Sequence, residues 1–308
     1  MKLLIDANRT NHAPWIEQAE KLWDLGPVAL VTDGTEPTDY LLLVDGAKTN
    51  HRQREVQRAV MSCWAGADGI LASGHLPDSV PIIRAMDDGM ALGMRDYVVG
   101  AFLHHVGRFN SHKKHMQNAS WQPQQPQLAH GMKIAILGYG RLGKFVGDTL
   151  QALGCNIHGV VRKTKPNHES SAVIHEFTNW QGALEGAGAL INLLPSTAQT
   201  EQLVASDMLN HLADGAVFIN AGRGATLRED SLIPWLEKHP ENEAILDVFT
   251  TEPLPKDHPF WQHPNILVTP HVASCSRPEW TLPELFSRAR QHAGGCHIAG
   301  IVRREQGY

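Results

Sequence analysis

The feature that most constrains the fold of this chain is a glycine-spaced turn in mid-sequence, between residues 132 and 165. A strand pattern at 133–137, apolar from residue 134 onward, leads into the turn, a helical pattern follows to Leu153, and an apolar run spans 157–161. A strand, a glycine turn, a helix and a second strand form the context of a dinucleotide-binding fold. The alternative is a glycine turn in an ordinary α/β protein. The predicted cofactor contacts of the turn are Gly138, Tyr139, Gly140, Arg141, Leu142 and Gly143.

Each glycine of the turn has a mechanical reason. Gly138 permits the tight turn, Gly140 lets the backbone approach a pyrophosphate, and Gly143 lets the helix pack closely against the strand. The helix N-terminus then offers N–H groups and the positive end of its dipole to the phosphates.

Basic residues stand where a dinucleotide fold usually carries an acid. An NAD-binding fold offers Asp or Glu to the ribose 2′-hydroxyl about 20 residues after the turn, whereas this chain has Arg162, Lys163 and Lys165. A carboxylate would repel the 2′-phosphate of NADP, whereas a guanidinium binds it with two hydrogen bonds. NADP(H) is therefore favoured and NAD(H) remains possible; the alternative is a solvated basic loop.

Apolar runs alternate with helical patterns on both sides of the turn, which predicts an α/β fold with parallel sheets covered on both faces. The runs lie at 3–5, 28–31, 41–44, 60–62, 80–83, 189–194, 216–220, 244–248 and 266–269, and a long helical pattern spans about 90–109. We predict two Rossmann-like domains. A central dinucleotide-binding domain, residues 96–279, is inserted into a split flavodoxin-like substrate domain, residues 1–95 and 280–308.

Composition excludes several classes of partner. The net charge of −5 gives no electrostatic reason to expect nucleic acid or an anionic membrane. No run approaches the ~20 apolar residues that span a bilayer. The cysteines lie far apart in sequence, which favours idle thiols over a disulfide framework or a zinc site. We therefore expect a cytoplasmic protein without a metal.

Polar side chains that could perform chemistry follow three of the later apolar runs. They are Arg223, Glu252 and His271. Ligands of open α/β sheets bind beyond the carboxyl ends of the strands, so the three residues could reach one crevice. Each alone has an ordinary explanation, as a surface charge, a loop acid or a loop histidine. Together, and after a nucleotide fold, they indicate catalysis.

From about residue 59 to 279 the chain resembles the D-2-hydroxyacid dehydrogenase family, and within it the glyoxylate/hydroxypyruvate reductase A type. The residues that carry the resemblance are GYGRLG at 138–143, NLLP at 192–195, INAGRG at 219–224, DVFTTEPLP at 247–255 and TPHVAS at 269–274. The order and spacing of these five motifs make the resemblance specific.

The resemblance implies catalytic roles for three residues. Arg223 would bind the substrate's carboxylate and carbonyl, His271 would be the acid/base, and Glu252 would pair with the histidine. The chemistry agrees, because hydride reduction of a 2-keto acid leaves an alkoxide that needs a proton. Histidine, with an unperturbed pKa of ~6.5, can supply it. A neighbouring carboxylate stabilises imidazolium, and arginine stays charged and polarises the carbonyl.

The same resemblance implies further contacts. The substrate-binding residues would include Trp64, Ala65 and Gly66, although the family's usual leucine-glycine pair appears here as Trp64-Ala65. Asp247 would hold the nicotinamide carboxamide. The other implied cofactor contacts are Leu194, Pro195, Ala221, Gly222 and Ser274. The helix and connector at 95–127 correspond to a dimer-forming region, so a homodimer is expected; the alternative is that their apolar residues form intramolecular core.

The sequence thus predicts an NADPH-dependent reductase of small 2-keto acids, with glyoxylate and hydroxypyruvate as first candidates. One alternative is a dehydrogenase of a bulkier D-2-hydroxy acid. The other is a non-enzymatic, nucleotide-sensing binding module of the same fold.

Overall fold

The chain forms two compact units in a computed structural model, and each is built around one all-parallel sheet. The structure describes residues 1–6, 12–31, 37–44, 55–64, 66–72, 76–164, 171–302 and 304. Unit 1 comprises residues 1–90 and 275–308, and unit 2 comprises residues 91–274. Both boundaries therefore lie five residues before the predicted ones.

Strands and helices are numbered in chain order. Strands β1 to β12 span Leu3–Asp6, Val28–Leu30, Thr38–Leu43, Val56–Ser62, Ile82–Arg84, Lys133–Leu137, Asn156–Val161, Val173–Glu176, Ala189–Asn192, Val217–Asn220, Glu243–Leu246 and Ile266–Val268. Helices α1 to α9 span Ala13–Leu22, Asp68–Ala72, Asp88–Val106, Phe109–Gln117, Arg141–Ala152, Gln181–Leu184, Ser206–Leu209, Leu232–Lys238 and Pro278–Ala293. None of the helices within the described ranges is long and apolar enough to cross a membrane.

Unit 1 has a five-stranded sheet of order β2-β1-β3-β4-β5, which is the flavodoxin-like order. Successive residues of β3 alternate between its two faces, and Tyr40 and Leu41 are both buried because each face is covered. Helix α9 supplies part of one cover through Leu282 and Phe286. The hydroxyl of Tyr40 donates to the carbonyl of Ala289 at 3.3 Å, so the end of the chain is joined to the first sheet.

Unit 2 has a seven-stranded sheet of order β12-β11-β10-β9-β6-β7-β8. The chain builds β6, β7 and β8 outward in one direction and then returns to add β9 on the other side of β6. The strand order therefore reverses between β6 and β9, and ligands of open α/β sheets bind at such a switch point. The two Rossmann-like sheets agree with the predicted fold class.

Both faces of the unit 2 sheet are buried. Along β6, Ala135 and Leu137 pack into one apolar cluster while Ile134 and Ile136 pack into the other, and all four are fully inaccessible. Fully burying an isoleucine or leucine side chain stabilises the fold by roughly 1.5–3 kcal/mol. The four consecutive apolar residues of β6 are thus explained by the cover on both faces of the sheet.

The predicted runs all coincide with strands, but their ends differ by up to four residues, the largest difference being at the start of β4. The long predicted helix ends at Val106, because Arg108 has φ +58° and a new helix, α4, begins at Phe109. Strand β8 was not predicted. It is short and only partly buried, so it lacks the apolar run that marks the other strands.

Candidate active site

The glycine turn lies between β6 and α5, at the switch point of the sheet. Gly138 has φ +85°, and a Cβ atom there would lie 2.9 Å from the carbonyl oxygen of Leu193. A Cβ on Gly143 would lie 2.5 Å from the carbonyl oxygen of Gly138. A Cβ on Gly140, by contrast, would meet nothing within 4 Å. Two glycines are therefore required by packing, and the third faces open space that a ligand can use.

The side chain of Tyr139 belongs to the core of unit 2. It is 1% exposed, and its ring lies where a Cβ on Gly147 or Gly159 would stand. The backbone N–H of Tyr139 donates to the carbonyl of Val160 at 3.1 Å. The ring of Tyr139 therefore packs in the core below the turn and is not exposed to a ligand.

The predicted 2′-phosphate loop follows β7 directly, with exposed Arg162 and Lys163. The next residue, Thr164, donates from both its N–H, at 3.0 Å, and its hydroxyl, at 2.7 Å, to Oε1 of Glu176. These hydrogen bonds, with the charge of Lys163, hold the pKa of Glu176 below its ordinary value. Glu176 is not among the residues predicted from the sequence, because it comes from the unpredicted β8. Lys165 lies outside the described residues.

Each of three neighbouring strands is followed by one of the predicted catalytic residues. Arg223 follows β10, Glu252 follows β11 and His271 follows β12, and these strands are adjacent in the sheet. Nδ1 of His271 lies 2.8 Å from Oε2 of Glu252. The other carboxylate oxygen accepts the N–H of Phe249 at 3.0 Å. The carboxylate is therefore held from both sides.

The turn that carries Arg223 is packed against its neighbours. Gly224 lies directly on the backbone of Phe249, where any Cβ would overlap it. The hydroxyl of Thr226 donates to the carbonyl of Arg223 at 2.6 Å and accepts from the amide of Asn192 at 2.6 Å. The turn of Arg223 therefore contacts the ends of β9 and β11. The backbone of Phe249, whose N–H binds Glu252, also packs against this turn.

The predicted cofactor contacts after β9 and β10 lie together. A Cβ on Gly222 would stand 2.8 Å from the carbonyl oxygen of Leu194, so the turn containing Ala221 packs against that leading to Pro195. Asp247 at the end of β11 is 1% exposed. Its carboxylate accepts three hydrogen bonds from the segment that carries His271.

Ser274 ends the segment that carries His271. Its Cα would lie 3.6 Å from a Cβ on Gly93 of α3, which is an ordinary van der Waals distance. The packing of α3 beside the end of this segment would therefore also admit an alanine at position 93.

In unit 1, the half-buried Trp64 is held on two sides. Its indole N–H donates to the carbonyl of Val44 at 2.8 Å, and its backbone N–H donates to Oγ of Ser62 at 3.2 Å. That backbone N–H is therefore engaged within the loop. Gly66 is half-buried, and Ala65 lies outside the described residues.

Comparisons with known proteins agree on one family. The family model described as "D-isomer specific 2-hydroxyacid dehydrogenase, NAD binding domain" matches residues 99–273. A glyoxylate/hydroxypyruvate reductase A from Serratia proteamaculans (strain 568) is 36% identical over 283 residues, 88% of each chain. One from Citrobacter koseri is 37% identical over 281 residues, 89% of this chain and 88% of its own.

A solved structure shows the same fold. It is a D-isomer specific 2-hydroxyacid dehydrogenase from Xanthobacter autotrophicus Py2 in complex with NADPH and MES. The alignment has a TM-score of 0.89 and 27% sequence identity, and it covers 100% of this chain and 99% of the other.

Proposed function

The chain belongs to the family of D-isomer-specific 2-hydroxyacid dehydrogenases, and we propose that it uses NADPH to reduce small 2-keto acids, with glyoxylate and hydroxypyruvate as substrates. The observation that carries the proposal is the hydrogen bond between His271 and Glu252, next to the packed turn of Arg223. An acid/base, its carboxylate and a permanent cation thus follow three adjacent strands. The Serratia and Citrobacter relatives are named as reductases of these two acids.

The residues of unit 2 fit a dinucleotide. The N-terminus of α5 would hold the pyrophosphate next to the open space at Gly140. Arg162 and Lys163 are exposed where a 2′-phosphate would be bound, which favours NADPH over NADH. The Xanthobacter protein was solved in complex with NADPH. When bound, the cofactor supplies a hydride to the carbonyl carbon of the keto acid.

The remaining steps are performed by side chains of the chain itself. Arg223 binds the substrate's carboxylate and draws electron density toward the carbonyl oxygen. His271 donates a proton to that oxygen, and it does so from Nε2 because Nδ1 is bound to Glu252. Glu252 stabilises the imidazolium before the transfer and keeps the ring oriented. In the oxidation direction, neutral His271 takes the hydroxyl proton.

The test is a turnover assay that follows NADPH consumption with glyoxylate, hydroxypyruvate, pyruvate and a branched 2-keto acid. We expect the highest kcat/KM with glyoxylate or hydroxypyruvate. His271→Ala should abolish most turnover while NADPH still binds. A preference for the branched acid would instead identify a dehydrogenase of bulkier substrates. No turnover with any acid would overturn the proposal and favour a nucleotide-sensing protein.

We also propose a homodimer formed through residues 95–127, which comprise most of α3, all of α4 and the connector that follows. Three large apolar side chains of this region are exposed: Phe109 by 57%, Met116 by 72% and Trp121 by 96%. Apolar side chains this exposed favour burial against a second copy over intramolecular core. Light scattering should give a dimer mass that Trp121→Ser lowers and Val173→Ser, on the edge strand β8, does not. A monomeric wild type would contradict the dimer.

A cytoplasmic location is also proposed. Cys155 is a buried free thiol and Cys296 is an exposed one. An exposed free thiol such as that of Cys296 fits a reducing compartment. Cell fractionation with an antibody against the chain would test this, and recovery outside the cytoplasmic fraction would contradict it.

A further inference from the structure

Asp247 holds the backbone of His271 and of the two residues that follow it. Its main-chain carbonyl accepts the N–H of His271 at 2.9 Å. Its carboxylate accepts the N–H groups of Val272, at 2.9 Å, and Ala273, at 2.8 Å. Three successive N–H groups of the loop are therefore bound by one buried residue at the end of the neighbouring strand.

The loop needs such support because His271 has φ +56°. That left-handed region costs a residue with a Cβ atom free energy and is rarely occupied without outside constraint. The hydrogen bonds that these N–H groups donate to Asp247 supply the constraint. The orientation of the imidazole thus depends on where the Asp247 carboxylate points.

Two residues outside the predicted site set that direction. The hydroxyl of Thr269 donates to Oδ1 of Asp247 at 2.6 Å. The hydroxyl of Tyr97, on α3, lies 2.7 Å from Oγ1 of Thr269. Because the proton of Thr269 is given to the carboxylate, Tyr97 is the donor in the second bond. Burial raises the pKa of Tyr97 to about 12, so the phenol keeps the proton that it donates.

We propose that Tyr97 and Thr269 are positioning residues for His271, which act through the carboxylate of Asp247. The chain of hydrogen bonds runs from Tyr97 to Thr269 to Asp247 and on to the loop that carries the histidine. Neither hydroxyl needs to touch the substrate. This inference rests on the proposed reductase function, because its main consequence is a correctly aimed proton donor.

The test uses a matched pair of substitutions. Thr269→Val keeps the shape and removes the hydroxyl, whereas Thr269→Ser keeps the hydroxyl. Thr269→Val should lower kcat about tenfold, with the KM for NADPH changed less than about threefold, since one hydrogen bond to a charged group is lost. Thr269→Ser should restore kcat to within about threefold of wild type. Tyr97→Phe should lower kcat in the same direction by a smaller factor.

A control separates positioning from general stability. Thr149 in α5 donates its hydroxyl to the carbonyl of Phe145 at 3.1 Å. Thr149→Val therefore also removes one partly buried hydroxyl of unit 2, and its kcat should match wild type even if its Tm falls. Equal losses of kcat in both valine variants would mean that the effect is only structural, and the positioning role would be rejected.

Amide hydrogen exchange gives a readout that does not depend on turnover. In Thr269→Val the N–H groups of residues 271–273 should exchange faster than in wild type, and in Thr269→Ser they should not. Unchanged exchange and unchanged kcat in Thr269→Val would overturn the inference. A wild type that turns over no keto acid would overturn the proposed function, while the exchange experiment would still decide whether the hydrogen-bond chain holds the loop.

Discussion

Oε2 of Glu252 lies 2.8 Å from Nδ1 of His271, and the carboxylate is kept there by the N–H of Phe249 on its other oxygen. The same phenylalanine backbone supports Gly224, next to Arg223. The proposed acid/base and the proposed substrate-binding cation are therefore held by one piece of backbone at the end of β11. This coupling would let Arg223, Glu252 and His271 act as one unit in the proposed reaction.

Glu252→Gln leaves His271 in place but removes the negative charge beside it. A glutamine can still accept the N–H of Phe249, but it stabilises no positive charge on His271. We expect kcat for keto-acid reduction to fall about 10- to 100-fold, because a hydrogen bond between charged groups is lost. Steady-state kinetics measure kcat, and titration with NADPH measures cofactor binding. A variant with wild-type kcat would show that Glu252 has no role in proton transfer.

Two glycine variants should lose different properties, one its stability and the other its affinity for NADPH. Gly143→Ala places a methyl group 2.5 Å from the carbonyl oxygen of Gly138, so it should lower the free energy of unfolding by about 1–3 kcal/mol. Gly140→Ala meets nothing, so its stability should stay within about 1 kcal/mol of wild type while NADPH binds at least about tenfold more weakly. Urea unfolding and NADPH titration measure both. Normal NADPH affinity in Gly140→Ala would contradict the proposed pyrophosphate site.

Arg162→Asp should shift the cofactor preference from NADPH toward NADH. The substitution removes a cation and adds an anion where a 2′-phosphate is proposed to bind. The ratio of kcat/KM with NADPH to that with NADH should fall at least about tenfold. Lys238→Asp, with the same change of charge at the exposed end of α8, should leave the ratio unchanged. Equal ratios in wild type and Arg162→Asp would mean that the basic loop does not read the phosphate.

His158 should make the protein less stable as the pH falls. Burial, together with the charges of Lys133 and His175, lowers the pKa of His158 to about 4. In the unfolded chain it titrates near ~6.5, so between these values the unfolded state binds more protons. Stability is therefore present above about pH 6.5 and is lost as the pH falls toward about 4. His175, which lies 2.9 Å away and also has a lowered pKa, acts in the same direction.

Substitution of His158 by glutamine tests this pH dependence. Urea unfolding at several pH values between ~4.5 and ~7 should show a smaller loss of unfolding free energy in His158→Gln than in wild type. NMR titration of the imidazole measures the pKa directly. A titration midpoint near ~6.5, or equal pH slopes in the two proteins, would contradict the prediction.

Much of the site was predictable because its signals are local in the chain. The turn at Gly138–Gly143 and the residues after β10, β11 and β12 are each recognisable within ten residues of sequence. The parallel pairing of the strands follows from the alternation of strands and helices, since parallel strands need crossover connections. These features specified the fold class and the family resemblance, and they are the basis on which Arg223, Glu252 and His271 are predicted as catalytic residues.

Other features depended on contacts between residues far apart in the chain. Tyr97 and Thr269 are separated by 172 positions, and no pattern in either segment indicates that their hydroxyls meet. Glu176 could not be predicted from the sequence because β8 is short and half-exposed and so lacks an apolar run. Tyr139 was predicted from the turn as a cofactor contact, but its ring fills space left by Gly147 and Gly159 on other elements.

The sequence by itself determined which chemical groups stand at the ends of the strands, because that depends on the order of residues along one segment. The tertiary structure alone decided which of those groups bind one another, because each pairing depends on which strands are adjacent and on their register. The left-handed backbone of His271 depends on such a pairing. Asp247, at the end of the neighbouring strand, stabilises it by accepting hydrogen bonds from the N–H groups of residues 271, 272 and 273.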